Sequence, residues 1–408
     1  MVMRVFPPGA RRCSAKTYAC RAIKIRARHI HRTGAAAPAE ARNLKKAKNT
    51  LGLSAARRAA AAACCLIFIL MLAMPARSIS GARDGLALCG GTLIPSLFPL
   101  LALSEFVTGT GLAAALGRVL ERPVKRLFGL PGPAAAAMAL GLIGGYPVGA
   151  RACAGLCRSG ELSRGEAERL LSFCVNSSPA FIIGGVGAGM LGSPAAGAVL
   201  YAAHISASLV LGLLCRARAA KSGEHPRRTG GGTAARPAAA KPLSALFVSS
   251  VSGSASVTVD ICAFVVLFSS LCALLPGGPQ GSLPAAVSAA AKCLLEVSNG
   301  CAAASCLPAP AVLPAISACL SWSGLCVICQ VSGAVRDAGL NIGRYVRARF
   351  IHMAVSVPVC AAAAALWPGC AARAVLACAA PLPAFHTAQS SAALLMLCSM
   401  LLLSMLKV

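Results

Sequence analysis

Few ionisable side chains fall inside the apolar stretches of this sequence: Glu105, His204, Asp260, Glu296 and His352. Charge is expensive at membrane depth, so such groups mark either a function or a pairing. Glu296 and Asn299 are spaced i, i+3, which puts both on one face of a helix, directly before Gly300. An acid and an amide beside opened peptide groups suit a polar solute with donors and acceptors, or a coupling cation. The same acid also suits a plain pairing with a neighbouring helix, or a place among lipid headgroups. Asn176-Ser177-Ser178-Pro179 breaks another apolar run. Pro179 has no N–H to give to the carbonyl of Val175, so that carbonyl is freed beside three hydrogen-bonding side chains. These groups either line a solute site or satisfy a kinked helix. Gly144, Gly145, Tyr146 and Gly149 lie in a third such place, the Gly-rich run 141–149. His204, His352 and Glu105 are weaker candidates: His204 sits mid-run, but a lone His more often bridges two helices, and His352 and Glu105, like Asp260, sit nearer to run ends.

Other chemistries lack their residues. Cys326 and Cys329 form a Cys-x-x-Cys inside an apolar run, away from the strand-to-helix setting that redox use requires. Most of the 21 cysteines stand among Ala, Leu and Ser, where Cys behaves as a small hydrophobe. No phosphate-binding Gly-x-x-x-x-Gly-Lys loop, His-Glu-x-x-His or Gly-x-Ser-x-Gly occurs. No catalytic residue, metal ligand set or cofactor is expected, and the chain does not read as an enzyme.

The elements that must position the candidates are membrane helices. The chain is 57% hydrophobic and 12% charged over 408 residues, with only 11 Asp and Glu; a soluble domain carries about twice that share of charge. Of the net +28, about fourteen charges precede Ala59, which suits a cytoplasmic tail beside lipid rather than a nucleic-acid surface. No nucleic-acid-reading motif accompanies that tail, so membrane lipid is the expected partner. Apolar runs long enough to cross follow at 59–74, 85–108, 170–191, 195–215, 257–275, 310–334, 350–367 and from about 374 to 406. Gly132–Ala150 and Pro284–Cys306 are apolar but rich in Gly, Ala and Ser. Broken backbone at membrane depth survives only inside protein or beside a water-filled cavity.

Charge fixes the count. With the basic tail inside, the loop bearing Arg118, Arg122, Lys125 and Arg126 also falls inside. The basic linker Arg216–Lys241 returns inside only if Gly132–Ala150 enters and leaves on one face. Treating Pro284–Cys306 likewise places Arg336, Arg344, Arg347, Arg349 and Lys407 inside. The expected fold is an all-α polytopic membrane protein of about eight transmembrane helices plus two re-entrant hairpins. The halves also resemble each other at an offset of roughly 145–150 residues, with opposite starting faces, as in an inverted-topology repeat. Residues 171–204 read against 315–352, placing His204 opposite His352. The expected organisation is a basic disordered cytoplasmic arm (1–58), a first transmembrane helix and short external loop (59–84), a first repeat (85–215), a cytoplasmic linker (216–242), a second repeat (243–368) and a C-terminal transmembrane segment (369–408).

Pro95-Ser96-Leu97-Phe98-Pro99 with Ser104-Glu105, then Gly144-Gly145-Tyr146-Pro147-Val148-Gly149-Ala150, resembles the sporulation integral membrane protein YlbJ family. So does Gly165-Glu166-Ala167-Glu168-Arg169-Leu170-Leu171-Ser172-Phe173 followed by Asn176-Ser177-Ser178-Pro179. The resemblance runs from about Ala59 to the C-terminus, strongest over 85–214, and leaves the basic arm outside it. It implies the Gate, or nucleoside-recognition, superfamily, a bacterial cytoplasmic or forespore-surrounding membrane, and a role in spore cortex or envelope formation. A small polar solute such as a nucleoside, and other sporulation membrane proteins, are the partners it implies. Three functions remain open: transport or sensing of a polar solute, a membrane scaffold without transport, and an iron-conducting Gate protein.

Overall fold

The computed structural model describes residues 38–221, 242–275 and 284–367. The arm before Pro38, most of the 216–242 linker and the expected C-terminal span lie outside the described residues. Everything described is helical or connecting loop. The first unit, through Ala73, contains helix α1, Pro38–Ala73. Residues 38–58, expected within the disordered arm, thus form the start of a helix. Ala, Leu, Lys and Arg dominate them, and these are the residues that extend a helix at least cost.

The second unit starts at Met74. Helix α2, Pro75–Leu88, passes through one π-helical turn, Cys89–Leu93, into α3, Ile94–Gly109. Helix α4, Leu112–Phe128, occupies the expected basic loop. Gly117, Val124 and Phe128 on it are buried while Arg118, Arg122, Lys125 and Arg126 are exposed, a two-faced pattern that holds a helix along a surface. Helices α5, Pro133–Gly144, and α6, Tyr146–Arg158, follow, then α7, Arg164–Cys174. A π-helical segment, Ala180–Met190, leads to α8, Pro194–Lys221. The second half begins with α9, Leu243–Leu274. It continues through α10, Ala285–Leu295, α11, Val297–Ser305, α12, Val312–Trp322, α13, Gly324–Val335, and α14, Ile342–Leu366.

This is an all-helical polytopic membrane protein. Among the described residues, four helical stretches have the length and apolarity to cross a bilayer: Pro194–Ala220, Leu243–Leu274, Val312–Ala338 and Ile342–Leu366. The count reaches six if Arg57–Ala73 with Pro75–Leu93, and Gly117–Phe128 with Pro133–Gly144, each make one span. The described residues therefore carry four to six spans, short of the expected eight. Four of the expected runs do not appear as separate spans. The run 59–74 passes only together with Pro75–Leu93. The run 85–108 is divided by the π-helical turn Cys89–Leu93, and the run 170–191 opens between Cys174 and Ala180. The run beginning near residue 374 lies outside the described residues.

The two Gly-rich segments fold back as helical hairpins. A Cβ on Gly149 would stand 3.1 Å from the Cα of Gly141 and 3.1 Å from the carbonyl oxygen of Cys174. Only hydrogen at these positions lets α5 and α6 close on each other and on α7. In the second half, a Cβ on Gly300 of α11 would strike the backbone of Cys293 on α10. Helices α2 and α9 close in the same way, through Gly81 and Gly85 at i, i+4, which lie against Ser269 and Val266. Turn chemistry fixes the connections. Ser163 and Glu166 form a reciprocal capping box at the start of α7, and the Ser193 hydroxyl accepts from Ala196 N at the start of α8.

Candidate functional site

In each half a hairpin break lies against the break of the following helix. Hairpin α5–α6 breaks at Gly145, whose φ of +85° and ψ of −168° suit only glycine. A Cβ there would stand 3.3 Å from Cβ of Ser178, in the opening between α7 and the π-helical segment. Hairpin α10–α11 breaks at Glu296. There a Cβ on Gly324, at the α12–α13 break, would lie 3.1 Å from the Cα of Glu296. One cavity of about 50 Å³ gathers residues from three of these breaks, among them Gly145, Ser177, Ser178 and Glu296, and takes Val327 and Gln330 from α13 beside the fourth. Leu93, Leu97 and Leu101 from the π-turn and α3, with Ile261 and Val265 from α9, supply an apolar wall.

The second hairpin caps its own break. Glu296 is 1% exposed. Its Oε1 accepts from Ser298 N at 3.0 Å; its Oε2 accepts from Asn299 N at 2.7 Å and Asn299 Nδ2 at 2.8 Å. The carboxylate therefore N-caps α11, placing negative charge where the helix dipole is positive. Asn299 Nδ2 also donates to Ser269 Oγ at 2.7 Å, tying the hairpin to α9. In the first hairpin the corresponding residue, Gly145, brings no side chain, and no side chain caps α6. Tyr146 instead reaches across the halves, its hydroxyl donating to the carbonyl of Leu320 at 2.9 Å.

Behind the cavity lies a buried polar layer. Asn176 Nδ2 donates to the carbonyl of Phe173 at 2.8 Å and to Ser208 Oγ at 3.0 Å, capping the end of α7. Arg349, fully buried on α14, donates to the carbonyls of Ser172 at 2.8 Å and Val175 at 3.2 Å, and lies over the ring of Tyr345. It thus binds the C-terminus of α7, where the dipole is negative. His204 Nε2 accepts from Ser177 N at 3.3 Å, and its ring meets that of His352 at 4.5 Å between centroids.

Of the sequence candidates, Gly144, Gly145, Tyr146, Ser177, Ser178 and Glu296 line the common cavity. Gly149, Asn176, Asn299, His204 and His352 do not line it. They hold its walls, through close packing for Gly149 and through the contacts above for the others. Glu105 lies in a different, larger cavity, 4.0 Å from Arg151. Asp260 lines neither. Sequence reasoning missed Arg349, which it counted as an inside charge. Its spacing of three from His352 and four from Tyr345 puts all three on one helix face, a signal present in the sequence. It also missed Gln330 and Leu101, whose types carry no signal.

Among the described residues no group of three or more His, Cys, Asp or Glu converges as a metal site, and neither cavity is lined by Cys or His.

Residues 91–194 match the family described as "Gate: Nucleoside recognition". This segment is a Gate domain. It takes in the end of the π-turn, both arms of the first hairpin, α7 and the π-helical segment, and so every first-half residue placed at the cavity. Over 211 residues, 49% of the chain, the protein is 31% identical to the sporulation integral membrane protein YlbJ of Bacillus subtilis (strain 168), covering 52% of that protein. The chain thus matches about half the length of this curated relative. No solved structure matches the chain. The resemblance drawn from the Gly-Tyr-Pro and Asn-Ser-Ser-Pro stretches is the one the comparisons return.

Proposed function

We propose that this protein serves spore envelope or cortex formation in a bacterial membrane, by transporting or sensing a small polar solute held between the two hairpins. One observation carries the reading: helix breaks from both halves, otherwise costly at membrane depth, open onto one cavity. Broken helices there present peptide dipoles, three serines, a tyrosine and a carboxylate. The similarity to YlbJ supports the sporulation setting, and the Gate domain supports a solute of the nucleoside kind.

The reading includes an inverted-topology repeat over 85–215 and 243–368 with both hairpins re-entrant, and both termini and the linker cytoplasmic. The matching order of elements supports it, and so does the meeting of His204 with His352, since repeat-related residues touch at a pseudo-two-fold axis. The cavity volume sets the conformational requirement. About 50 Å³ compares with roughly 30 Å³ for one water's share of liquid and roughly 300 Å³ or more for a typical ligand site. This conformation admits an ion or a water or two, and a nucleoside requires the hairpins to part.

That small volume also favours a second reading, a scaffold for spore-envelope proteins in which the breaks only fix the hairpins. An iron-conducting role draws no support from the cavity linings. Complementation separates the first two. Ser177→Ala and Ser178→Val should reach the membrane at the unmodified protein's level and fail to restore spore formation in a strain lacking the protein. Full restoration by both would replace the solute site with the scaffold.

A further inference from the structure

The larger cavity, about 840 Å³, lies beside the small one, and Leu101 lines both. On three elements the lining passes from one to the other within a helical turn: Leu97 to Leu101 on α3, Ile261 to Val257 on α9, and Pro147 to Val148 on α6. The two spaces adjoin at Leu101. Leu101 is 3% exposed and stands at their junction. Its helix is also suited to move. It follows a π-helical turn and carries Pro99 internally, and each of these loosens the helical hydrogen-bond ladder.

We propose that the larger cavity is the cytoplasmic vestibule through which the solute reaches the cavity between the hairpins, and that the Leu101 side chain closes the passage. The proposal rests on the solute-site reading above and adds a route, a gate and a solute class. Sidedness comes from Arg118, which lines the vestibule on the same helix as Arg122, Lys125 and Arg126. The solute class comes from the wall. Glu105 and Arg151 stand 4.0 Å apart and half-exposed, with Ser249 and Ser250 nearby in the lining. The rest of the lining also carries both signs, Arg118 against Glu121 and Glu161. Such a wall gives no strong preference for an ion of either sign, and a neutral or zwitterionic polar solute finds partners for both its donors and its acceptors. Gly253 lets the wall form, because a Cβ there would crowd the Glu105 carboxylate.

The test needs no identified solute. A membrane-impermeant, sulfonated methanethiosulfonate is applied to the full-length protein in inside-out and right-side-out vesicles. Labelled peptides are resolved by mass, so the native cysteines report separately. Ser250→Cys should react in inside-out vesicles and be protected in right-side-out ones. Ser178→Cys should react about tenfold more slowly, and Leu101→Ala should raise its rate about tenfold while leaving Ser250→Cys unchanged, as expected when one opening step limits access. Leu101→Val should give a smaller rise, and serves if the alanine variant does not accumulate. Val257→Ala, at the same level but outside the small cavity's lining, should leave the Ser178→Cys rate within about twofold. An unreactive Ser250→Cys in inside-out vesicles would make the large cavity a lipid-filled cleft. A Ser178→Cys rate unmoved by either Leu101 variant would remove the gate. Labelling reads water access alone, so its failure is distinct from a failure of the hairpin site to matter for sporulation, which complementation reads.

Discussion

Replacing Glu296 separates what holds the second hairpin from what it offers a solute. The carboxylate is buried and accepts from three N–H groups, two of them backbone. In Glu296→Ala the amides of Ser298 and Asn299 lose their acceptor inside the protein. A lost N-cap costs about 0.5–2 kcal/mol, and each buried donor left unsatisfied costs about 1–3 kcal/mol. The donors are shared with the cap, so these costs overlap and the total should be about 3 kcal/mol. Glu296→Gln keeps one acceptor oxygen but turns an NH₂ toward an N–H, and should lose about 2 kcal/mol. Glu296→Asp keeps a good capping carboxylate and should lose less than about 1 kcal/mol. Denaturation by SDS in mixed micelles, followed by circular dichroism, gives the three values. The expected order of loss is Ala, then Gln, then Asp. If Glu296→Ala unfolds within about 0.5 kcal/mol of the unmodified protein, the capping argument is wrong. If Glu296→Asp is stable yet fails to restore spore formation, the carboxylate's reach into the cavity matters beyond the cap.

Arg349→Met leaves the carbonyls of Ser172 and Val175 without their donor and should lower stability by about 2–4 kcal/mol in the same assay; an unchanged protein would mean that α7 needs no clamp from α14. Gly149→Leu should abolish the folded hairpin, seen as loss of protein from the membrane, because the backbones of Gly141 and Cys174 leave no space; wild-type levels would refute that close approach. A cysteine placed at Ser222 should label only in inside-out vesicles, and labelling in right-side-out vesicles would overturn the re-entrant assignment of the first hairpin. Deleting residues 2–50 should leave membrane insertion and expressed amount unchanged, since the apolar part of α1 from Arg57 remains; loss of insertion would assign the arm a structural role.

The sequence by itself determined the class and the places where helices break. Too few acids to solvate a surface, and apolar runs of membrane length, leave only a bundle of membrane helices. Gly145 and Pro179 break helices for local reasons that need no neighbour. The Gly-Tyr-Pro and Asn-Ser-Ser-Pro stretches also carried the family resemblance. Tertiary structure decided what those breaks face. Asn176 and Ser178 are two residues apart in one opening, yet Asn176 turns back to cap α7 while Ser178 lines the cavity. Glu296 read equally well as a ligand or a paired acid, and the fold makes it the N-cap of its own helix. Arg349 read as a cytoplasmic charge, and it is buried because the end of α7 supplies carbonyls that only contact across the two halves brings within reach. Helix periodicity fixes which residues share a face; which neighbour that face meets depends on how close the backbones come, and here glycine contacts between residues distant in sequence set that distance.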